Sequence, residues 1–446
     1  CIDILEMHLM RQLFFLHGTC KYCQNVKEIM PMGFLKKHFS MYSHLPREIY
    51  VLAFGKVMTS MGALIWPMLT LIMSEKLGLN GQTIGLYMMM FSMFMGPFYL
   101  LGGKMADKYN KKHIIVTFDL IGNSLYFVCA VLPMSMTTLY LLAIASLFQA
   151  MEQPAYDALI ADLTTYKDRE RAYSLNYLSM NLGLVLAPTI GGILFNNYLS
   201  LSFFINGLAD ISSTLLLLVF IKNVKANNQD TKTMNEYEKG ETGSIFKVFS
   251  ERKLFFLLFV ISGIAALIYN QFSFLMPLHL EEVFRGSGAF KFGILTSINA
   301  VVVVIGTPIF TKKLSGVIDI RIMYWGQLLE SLGLAFFIFV NHHFVIAVVG
   351  IIIFTIGEVF GSISKTPYLT KRIPETHRGR VLSITNSFAG LIGVLSNYVI
   401  GTLIDYYPFS TVWIMIAVIG LFVMILYSIY LRLDKNVYFS LYEKTM

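Results

Sequence analysis

Charged side chains are scarce in this chain, at 14% of 446 residues, whereas soluble domains average roughly 25%. Cysteine is scarcer still, with four residues, too few for the disulfide scaffold of a small secreted protein. Hydrophobic residues make up 56% of the chain, and the mean hydropathy is +0.63. This balance excludes an ordinary soluble enzyme and a disordered protein. It leaves a protein that crosses a membrane several times.

Residue patterns that support catalysis or metal binding are also missing. The sequence has no glycine-rich phosphate-binding loop, so hydrolysis of a nucleotide is not indicated. The pair His342-His343 stands in a short loop without further ligands nearby, which disfavours a metal site. The sequence therefore predicts neither an enzyme nor a metal or cofactor protein, and a proton is the only coupling ion that we expect.

Long apolar runs separated by short breaks recur along the chain. A helix needs about 20 apolar residues to cross the hydrocarbon core, and backbone groups in lipid must pair within their own segment. The runs therefore predict twelve transmembrane helices. Their approximate positions are 48–73, 81–103, 113–133, 138–160, 171–195, 199–221, 254–278, 289–311, 321–340, 343–366, 380–404 and 409–432.

The longest interior break, at 222–253, divides the predicted helices into six and six. Its many charged and polar residues are typical of a flexible linker. We therefore expect an all-α membrane protein with two six-helix bundles, residues 45–221 and 254–432, joined by a cytoplasmic linker. Residues 1–44 are expected to form an N-terminal extension that is disordered or cytoplasmic, and residues 433–446 a cytoplasmic tail.

Lysine and arginine are concentrated in alternate loops. The breaks after the second, fourth, sixth, eighth and tenth predicted helices carry most of them, whereas the opposite loops hold only Lys76, Arg285 and Lys291. Because loops rich in these residues stay in the cytoplasm, the asymmetry predicts a multi-pass protein of the cell membrane with both termini cytoplasmic. It also accounts for the net charge of +8 without a nucleic-acid partner.

The two predicted bundles share a sequence repeat. Arg169–Ser174 aligns with Arg378–Ser383, and the same offset places the fourth predicted helix on the tenth. Both helices carry a polar stripe on one face. The paired stripe residues are Ser146 with Thr355, Gln149 with Glu358, Gln153 with Ser362, Tyr156 with Lys365, and Asp157 with Thr366. Facing stripes in a parallel repeat are typical of a transporter whose site lies between two pseudo-symmetric bundles.

A basic loop with recurrent spacing follows the second predicted helix. Its motif residues are Gly103, Asp107, Lys108, Lys111 and Lys112. The loop resembles the signature loop of the major facilitator superfamily, with Asn110 in place of the second glycine, and we expect Asn110 to adopt the left-handed conformation that asparagine tolerates. The resemblance implies that the basic residues pair with acids at neighbouring helix ends. Asp162 and Arg169 resemble the acid-to-arginine relay beside that loop.

Small residues surround a proline in the fifth predicted helix. The motif residues are Gly183, Pro188, Gly191 and Gly192. They resemble the antiporter motif of the superfamily's drug–proton exchangers, with Ala187 in place of one glycine. Small residues let helices approach closely, and proline bends a helix by removing a hydrogen bond. Thr355–Glu358 likewise resembles the tenth-helix carboxylate segment of bacterial multidrug exporters, although Ser146 stands where many proton-coupled exporters have arginine.

Charged side chains inside the predicted spans are candidates for chemistry, because each costs roughly 2.5–3.5 kcal/mol to insert. Glu358 is the first candidate for a proton-binding carboxylate and Glu152 the second, and we expect Lys56 to pair with Glu152 or Asp157. The resemblance implies that the first, fourth, seventh and tenth helices line one cavity that brings these groups together. Further cavity residues are expected to be Gln149, Gln153, Tyr156, Asn270 and Gln271.

Two further acids lie in helices that are peripheral in the resembled fold. Asp119, in the third predicted helix, is expected near the cytoplasmic headgroups. Asp210, in the middle of the sixth, is expected to have a partner on a neighbouring helix.

These features predict a monomeric secondary transporter in the lipid bilayer that exports hydrophobic or cationic drugs in exchange for protons. A cation and a proton compete for a buried carboxylate, which is antiport expressed as linkage. Two alternatives stay open. The first is a proton-coupled or facilitated carrier of a sugar, an amino acid or another metabolite, and the more remote one is a membrane-embedded enzyme or a channel.

Overall fold

The computed structural model describes residues 42, 45–221, 253–340, 343–372, 378–439 and 442. These residues are almost entirely helical. Nearly all of the predicted extension and of the predicted linker lies outside these residues, and so do the last residues of the tail. Every one of the twelve predicted spans within the described residues corresponds to a helix.

The twelve helices are numbered α1 to α12 in chain order. They are α1 (Arg47–Gly62, continued by short turns to Lys76), α2 (Gly81–Lys108), α3 (Lys111–Val131), α4 (Met136–Asp162), α5 (Tyr166–Leu184 and Ala187–Leu194), α6 (Leu199–Phe220), α7 (Lys253–Asn270 and Leu275–Val283), α8 (Gly288–Lys313), α9 (Asp319–Ala335), α10 (Phe344–Thr370), α11 (Arg378–Tyr406) and α12 (Phe409–Val437).

Three helices are interrupted, and proline lies next to each interruption. In α5 the first segment ends at Leu184, and the second begins at Ala187 with Pro188 in its first turn. Proline cannot donate a backbone hydrogen bond, so a helix restarts more easily than it continues there. Pro67 follows the break in α1, and Pro277 follows the break in α7. The bend predicted for α5 is confirmed.

Polarity distinguishes α4 from the other helices. Within the described residues, eleven helices are long and apolar enough to cross a membrane. The 27-residue α4 is long enough, but Gln149, Glu152, Gln153 and Asp157 interrupt its apolar character. A helix this polar is stable in a membrane only when its polar face is covered by protein or lines a cavity.

The helices pack as two copies of one arrangement. In the first bundle α1 contacts α5 and α6, α3 contacts α4 and α6, and α2 contacts α4. Adding six to each helix number gives the main contacts of the second bundle, where α7 contacts α11 and α12, α9 contacts α10 and α12, and α8 contacts α10. The two bundles meet where α2 packs on α11 and where α5 packs on α8. The predicted pseudo-symmetry of two six-helix bundles is confirmed.

Candidate functional site

A cavity of about 450 Å³ lies in the second bundle and extends to the first. Its walls come from α7, α9, α10, α11 and α12, with Tyr177 of α5 contributed by the other bundle. Its lining includes both charged groups and aromatic rings. The residues that matter for its chemistry are Tyr177, Tyr269, Glu330, Glu358, Lys365 and Tyr427. We call this space the central cavity.

Glu358 is held in the central cavity by two neighbouring helices. The hydroxyl of Tyr269 on α7 donates to its Oε1 at 2.9 Å, and Nδ2 of Asn299 on α8 donates to its Oε2 at 2.7 Å. The same Asn299 group also donates to Thr355 Oγ1 at 2.9 Å, so the start of the polar stripe orients the amide. The carboxylate therefore faces protein and the cavity, as the sequence predicts.

Glu330 and Lys365 are the other two charged residues that line the central cavity. The sequence placed Lys365 in the polar stripe of α10, but it did not predict either residue as part of the proton or substrate site. Glu330 on α9 and Lys365 on α10 lie within electrostatic range of each other, and Glu358 lies within range of Glu330. A Cβ at Gly357 would lie 3.0 Å from Glu330 Cγ, so glycine there lets α9 approach α10. The sequence did contain a signal for Glu330, because it is a lone acidic residue inside the predicted span 321–340.

Asn270 and Gln271 do not line the central cavity. Nδ2 of Asn270 donates to Gly393 O at 2.9 Å and to Asn397 Oδ1. Nε2 of Gln271 donates to Ser396 Oγ at 3.0 Å. Both amides therefore join α7 to α11, and their expected place in the cavity lining is corrected to helix packing.

A second cavity, of about 210 Å³, lies inside the first bundle between α1, α3, α4 and α6. It contains Lys56, Asp119, Glu152 and Asp210. Glu152 and Glu358 therefore occupy two different cavities, which corrects the expectation that one cavity brings them together. Asp119 also lines this cavity. We call it the N-bundle cavity.

Lys56 makes a different contact from the one expected. Among the described residues it forms no ion pair within 4.0 Å, and its Nζ lies 5.6 Å from the centre of the Tyr156 ring. Asp157 instead accepts from Gln153 Nε2 at 3.0 Å. Glu152 is within electrostatic range of Lys56 but is not paired with it.

The remaining residues of the α4 stripe divide between contacts and cavity walls. Gln149, Gln153 and Tyr156 line the N-bundle cavity. The Tyr156 hydroxyl donates to Leu52 O at 3.2 Å, which ties α4 to α1. The α4 stripe thus faces protein and lines the N-bundle cavity. The equivalent stripe on α10 lines the central cavity.

The loop between α2 and α3 is fixed by its neighbours. Lys111 Nζ and Asp162 Oδ2 form an ion pair at 2.7 Å, and Lys112 Nζ donates to Leu218 O and Ile221 O at the end of α6. The expected pairing of a basic residue with an acid at a neighbouring helix end is confirmed. The Asp107 side chain lies outside the described part of the structure.

Two details of this loop differ from expectation. Asn110 has φ −65° and ψ 118° and caps α3 through its side chain, so it is not left-handed. Asp162 pairs with Lys111, whereas Arg169 Nη2 donates to Ala161 O at 3.2 Å. A Cβ at Gly102 would collide with Met151 O, whereas one at Gly103 would meet Pro154 only at 3.9 Å.

The glycines of α5 make the close approaches that the motif predicts. A Cβ at Gly183 would lie 2.5 Å from Ser60 Cβ on α1. One at Gly192 would lie 2.6 Å from Ala289 O on α8, in the other bundle. Gly191 likewise faces Leu64 O, and a Cβ at Gly293 of α8 would collide with Pro188 O. The motif therefore sits at the contact between the bundles.

At one end of the molecule, hydrogen bonds join the two bundles. Asp405, at the end of α11, accepts from Gly81 N at 2.8 Å and from Gln82 N at 2.9 Å, at the start of α2. Asn196, which the repeat aligns with Asp405, donates through Nδ2 to Gly286 O before α8 at 3.0 Å. We call these two symmetric contacts the clasp. They lie at the end whose loops are poor in lysine and arginine.

Comparison with known sequences identifies relatives over most of the chain. The family model for the Major Facilitator Superfamily matches residues 52–318 and 292–437. The chain is 23% identical over 341 residues to the Na(+), Li(+), K(+)/H(+) antiporter of Planococcus maritimus, covering 71% of this chain and 80% of the relative. It is 23% identical over 387 residues to the quinolone resistance protein NorA of Staphylococcus aureus, covering 83% and 94%. It is 24% identical over 365 residues to multidrug resistance protein 1 of Bacillus subtilis, covering 80% and 90%.

Solved structures show the same fold. A mutant of the peptide transporter POT in complex with alafosfalin has a TM-score of 0.70 and 16% identity, covering 88% of this chain and 95% of that one. A mutant of the nucleoside transporter NupG has a TM-score of 0.68 and 16% identity, covering 86% and 98%. At this identity the likeness concerns the fold alone.

Proposed function

This chain belongs to the Major Facilitator Superfamily and is a transporter, not an enzyme. From that premise we propose that it exchanges protons for hydrophobic or cationic compounds. In this proposal it works as a monomer in the cell membrane, without a cofactor, and exports its substrate. The two bundles alternate between states open to either side of the membrane.

Glu358 carries the proposal. Its carboxylate lies in the central cavity, which residues of both bundles line. The cavity walls include the aromatic rings of Tyr177, Tyr269 and Tyr427. An organic cation is attracted to a carboxylate and to the faces of aromatic rings. When Tyr269 and Asn299 donate to the ionised acid, a proton or a cation can complete its neutralisation, but not both. That competition is the linkage on which antiport depends.

The charge distribution and the clasp support the proposed orientation of the structure in the membrane. Loops rich in lysine and arginine face the cytoplasm by the positive-inside rule, so the clasp would lie on the outside and both termini in the cytoplasm. The structure would then represent a state closed to the outside. In that state the central cavity loads substrate from the cytoplasm, and opening of the clasp releases it.

The names of several relatives support the same substrate class. Two of them are called a quinolone resistance protein and a multidrug resistance protein, and a third is named as an antiporter that includes protons. The identities of 23–24% fit a shared mechanism better than a shared substrate. Transport assays with purified protein in liposomes distinguish a metabolite carrier from a drug exporter.

Reconstituted protein tests the proposal directly. In liposomes with an acidic lumen, we expect tetraphenylphosphonium to accumulate inside as protons leave. Each pH unit sustains about tenfold accumulation for one-for-one exchange, because it supplies about 1.4 kcal/mol. The measurement is radiolabelled uptake with and without a protonophore.

Two outcomes would contradict the proposal. The first is tetraphenylphosphonium uptake that does not respond when the protonophore collapses the gradient. The second is accumulation of labelled sugars or amino acids in liposomes with an alkaline lumen, which is the result that a proton-coupled metabolite carrier gives. Protein-free liposomes provide the background for both.

A further inference from the structure

The N-bundle cavity contains more acid than its contacts neutralise. Asp119 on α3, Glu152 on α4 and Asp210 on α6 share it with one cation, Lys56 on α1. If all four were ionised, two negative charges would be left uncompensated inside a bundle. Removing charged groups from water costs several kcal/mol each unless they are paired.

Two buried oxygen atoms in this cavity also lack partners. Asp210 and Asn206 are each 3% exposed, and both line the cavity. Nδ2 of Asn206 donates to Asp210 Oδ2 at 3.0 Å. Asp210 Oδ1 and Asn206 Oδ1, however, have no hydrogen-bond donor at good geometry among the described residues, although the Thr59 side chain lies near Asp210. Buried acceptors without donors are costly, so the cavity has to supply these oxygens with a donor, which can be water, a protonated carboxyl group or a cation.

A proton meets this requirement better than a metal ion. Among the described residues, no three acidic, histidine or cysteine side chains converge closely enough to hold a metal. Lys56 already brings one cation to the cavity. A proton on a carboxyl oxygen removes one negative charge and at the same time creates a hydrogen-bond donor.

We propose that the N-bundle cavity is a second proton-binding site, in which Asp119, Glu152 and Asp210 share protons around Lys56. This inference extends the proposed function, which places proton exchange at Glu358. The titratable groups that face the three acids from the surrounding helices are Lys56 on α1, Tyr126 on α3 and Tyr156 on α4. Because they interact, the acids take up protons as one coupled group.

The charged residues of the second site are not repeated in the second bundle. The repeat aligns Lys56, Asp119, Glu152 and Asp210 with Ala265, Leu328, Gly361 and Ile419. The second bundle therefore has no charge at these four positions, although Ala265 and Gly361 line the central cavity, and the charges of that cavity stand at other positions of the same helices. Exchange of a monovalent cation for protons from both sites would move net charge, so the membrane potential as well as the pH gradient would drive transport.

Infrared difference spectroscopy of the purified protein tests the site without any substrate. Between about pH 5 and pH 9, protonation of a carboxylate produces a carbonyl band of the neutral acid. We expect a pH-dependent band that persists in Glu358→Gln and in the exposed control Glu75→Gln. It should lose intensity in Asp210→Asn and in Asp119→Asn. Two variants on different helices are used, and each must elute and melt like the wild type.

The outcomes separate this inference from the proposed function. The inference is overturned if both variants keep the full band, or if Na⁺, Li⁺ or K⁺ added at fixed pH in place of choline reproduces the change. In liposomes, a valinomycin-imposed potential should alter the rate for the wild type, and Asp210→Asn should lose that response. A transport defect in Glu358→Gln alone concerns the proposed function and leaves the spectral result unaffected.

Discussion

Replacing Glu358 with glutamine is expected to abolish concentrative efflux while leaving the protein folded. The Tyr269 hydroxyl can still donate to the amide oxygen, so one of the two observed hydrogen bonds survives. An amide cannot take up or release a proton, however, and it no longer attracts a cation. Gradient-driven accumulation of tetraphenylphosphonium in liposomes should fall from the wild-type level, which is about tenfold per pH unit for each proton exchanged, to the protein-free background.

Two comparison variants sharpen this result. Glu358→Asp keeps the acid on a shorter side chain and should retain part of the accumulation. Glu75→Gln removes an exposed acid outside both cavities and should transport like the wild type. Wild-type accumulation by Glu358→Gln would show that the exchangeable proton is bound elsewhere.

The second large effect is expected from a wedge between the bundles at the clasp. Gly85 of α2 lies so close to α11 that a Cβ would collide with Asn397 O. Gly85→Leu should therefore prevent this end from closing, and transport should fall to background because alternating access requires both closed states. Gly96→Leu is the matched control on the same helix, since nothing lies within 4 Å of a Cβ there.

Cysteine labelling reports the wedge directly. In a background with the four native cysteines replaced by serine, a cysteine is placed at Ser297, whose hydroxyl lies 2.7 Å from that of Thr189 across the bundle interface. The thiol should be protected in this background and in Gly96→Leu, and reactive in Gly85→Leu. Equal protection in all three proteins, with transport intact in Gly85→Leu, would disprove the clasp as a gate.

The helices were predictable because the membrane leaves few choices. Apolar length and obligatory internal hydrogen bonding predict the spans, and the repeat predicts that α4 and α10 are equivalent. Even the interruption of α5 follows locally from Pro188, which has no backbone donor. Helix ends were less predictable: α2 runs five residues past its predicted end, to Lys108, since polar residues at the interface continue a helix without changing hydropathy.

The site was only partly predictable. Glu358 stood out as an acid in an apolar run, and its orientation towards the cavity was correct. Glu152 stood out for the same reason but faces another cavity, together with Asp119 and Asp210. Helical periodicity gives the face on which a side chain lies, but it does not say which helix covers that face.

By itself, the sequence determined that this chain is a two-bundle membrane protein and that a few acids must be buried in it. Those properties depend on hydropathy and spacing along one chain, which are local quantities. Only the tertiary structure decided that the acids divide between two cavities, that Asn270 and Gln271 join helices, and that Asp405 closes one end against α2. These depend on which helices become neighbours, and many weak contacts across the whole fold determine that choice.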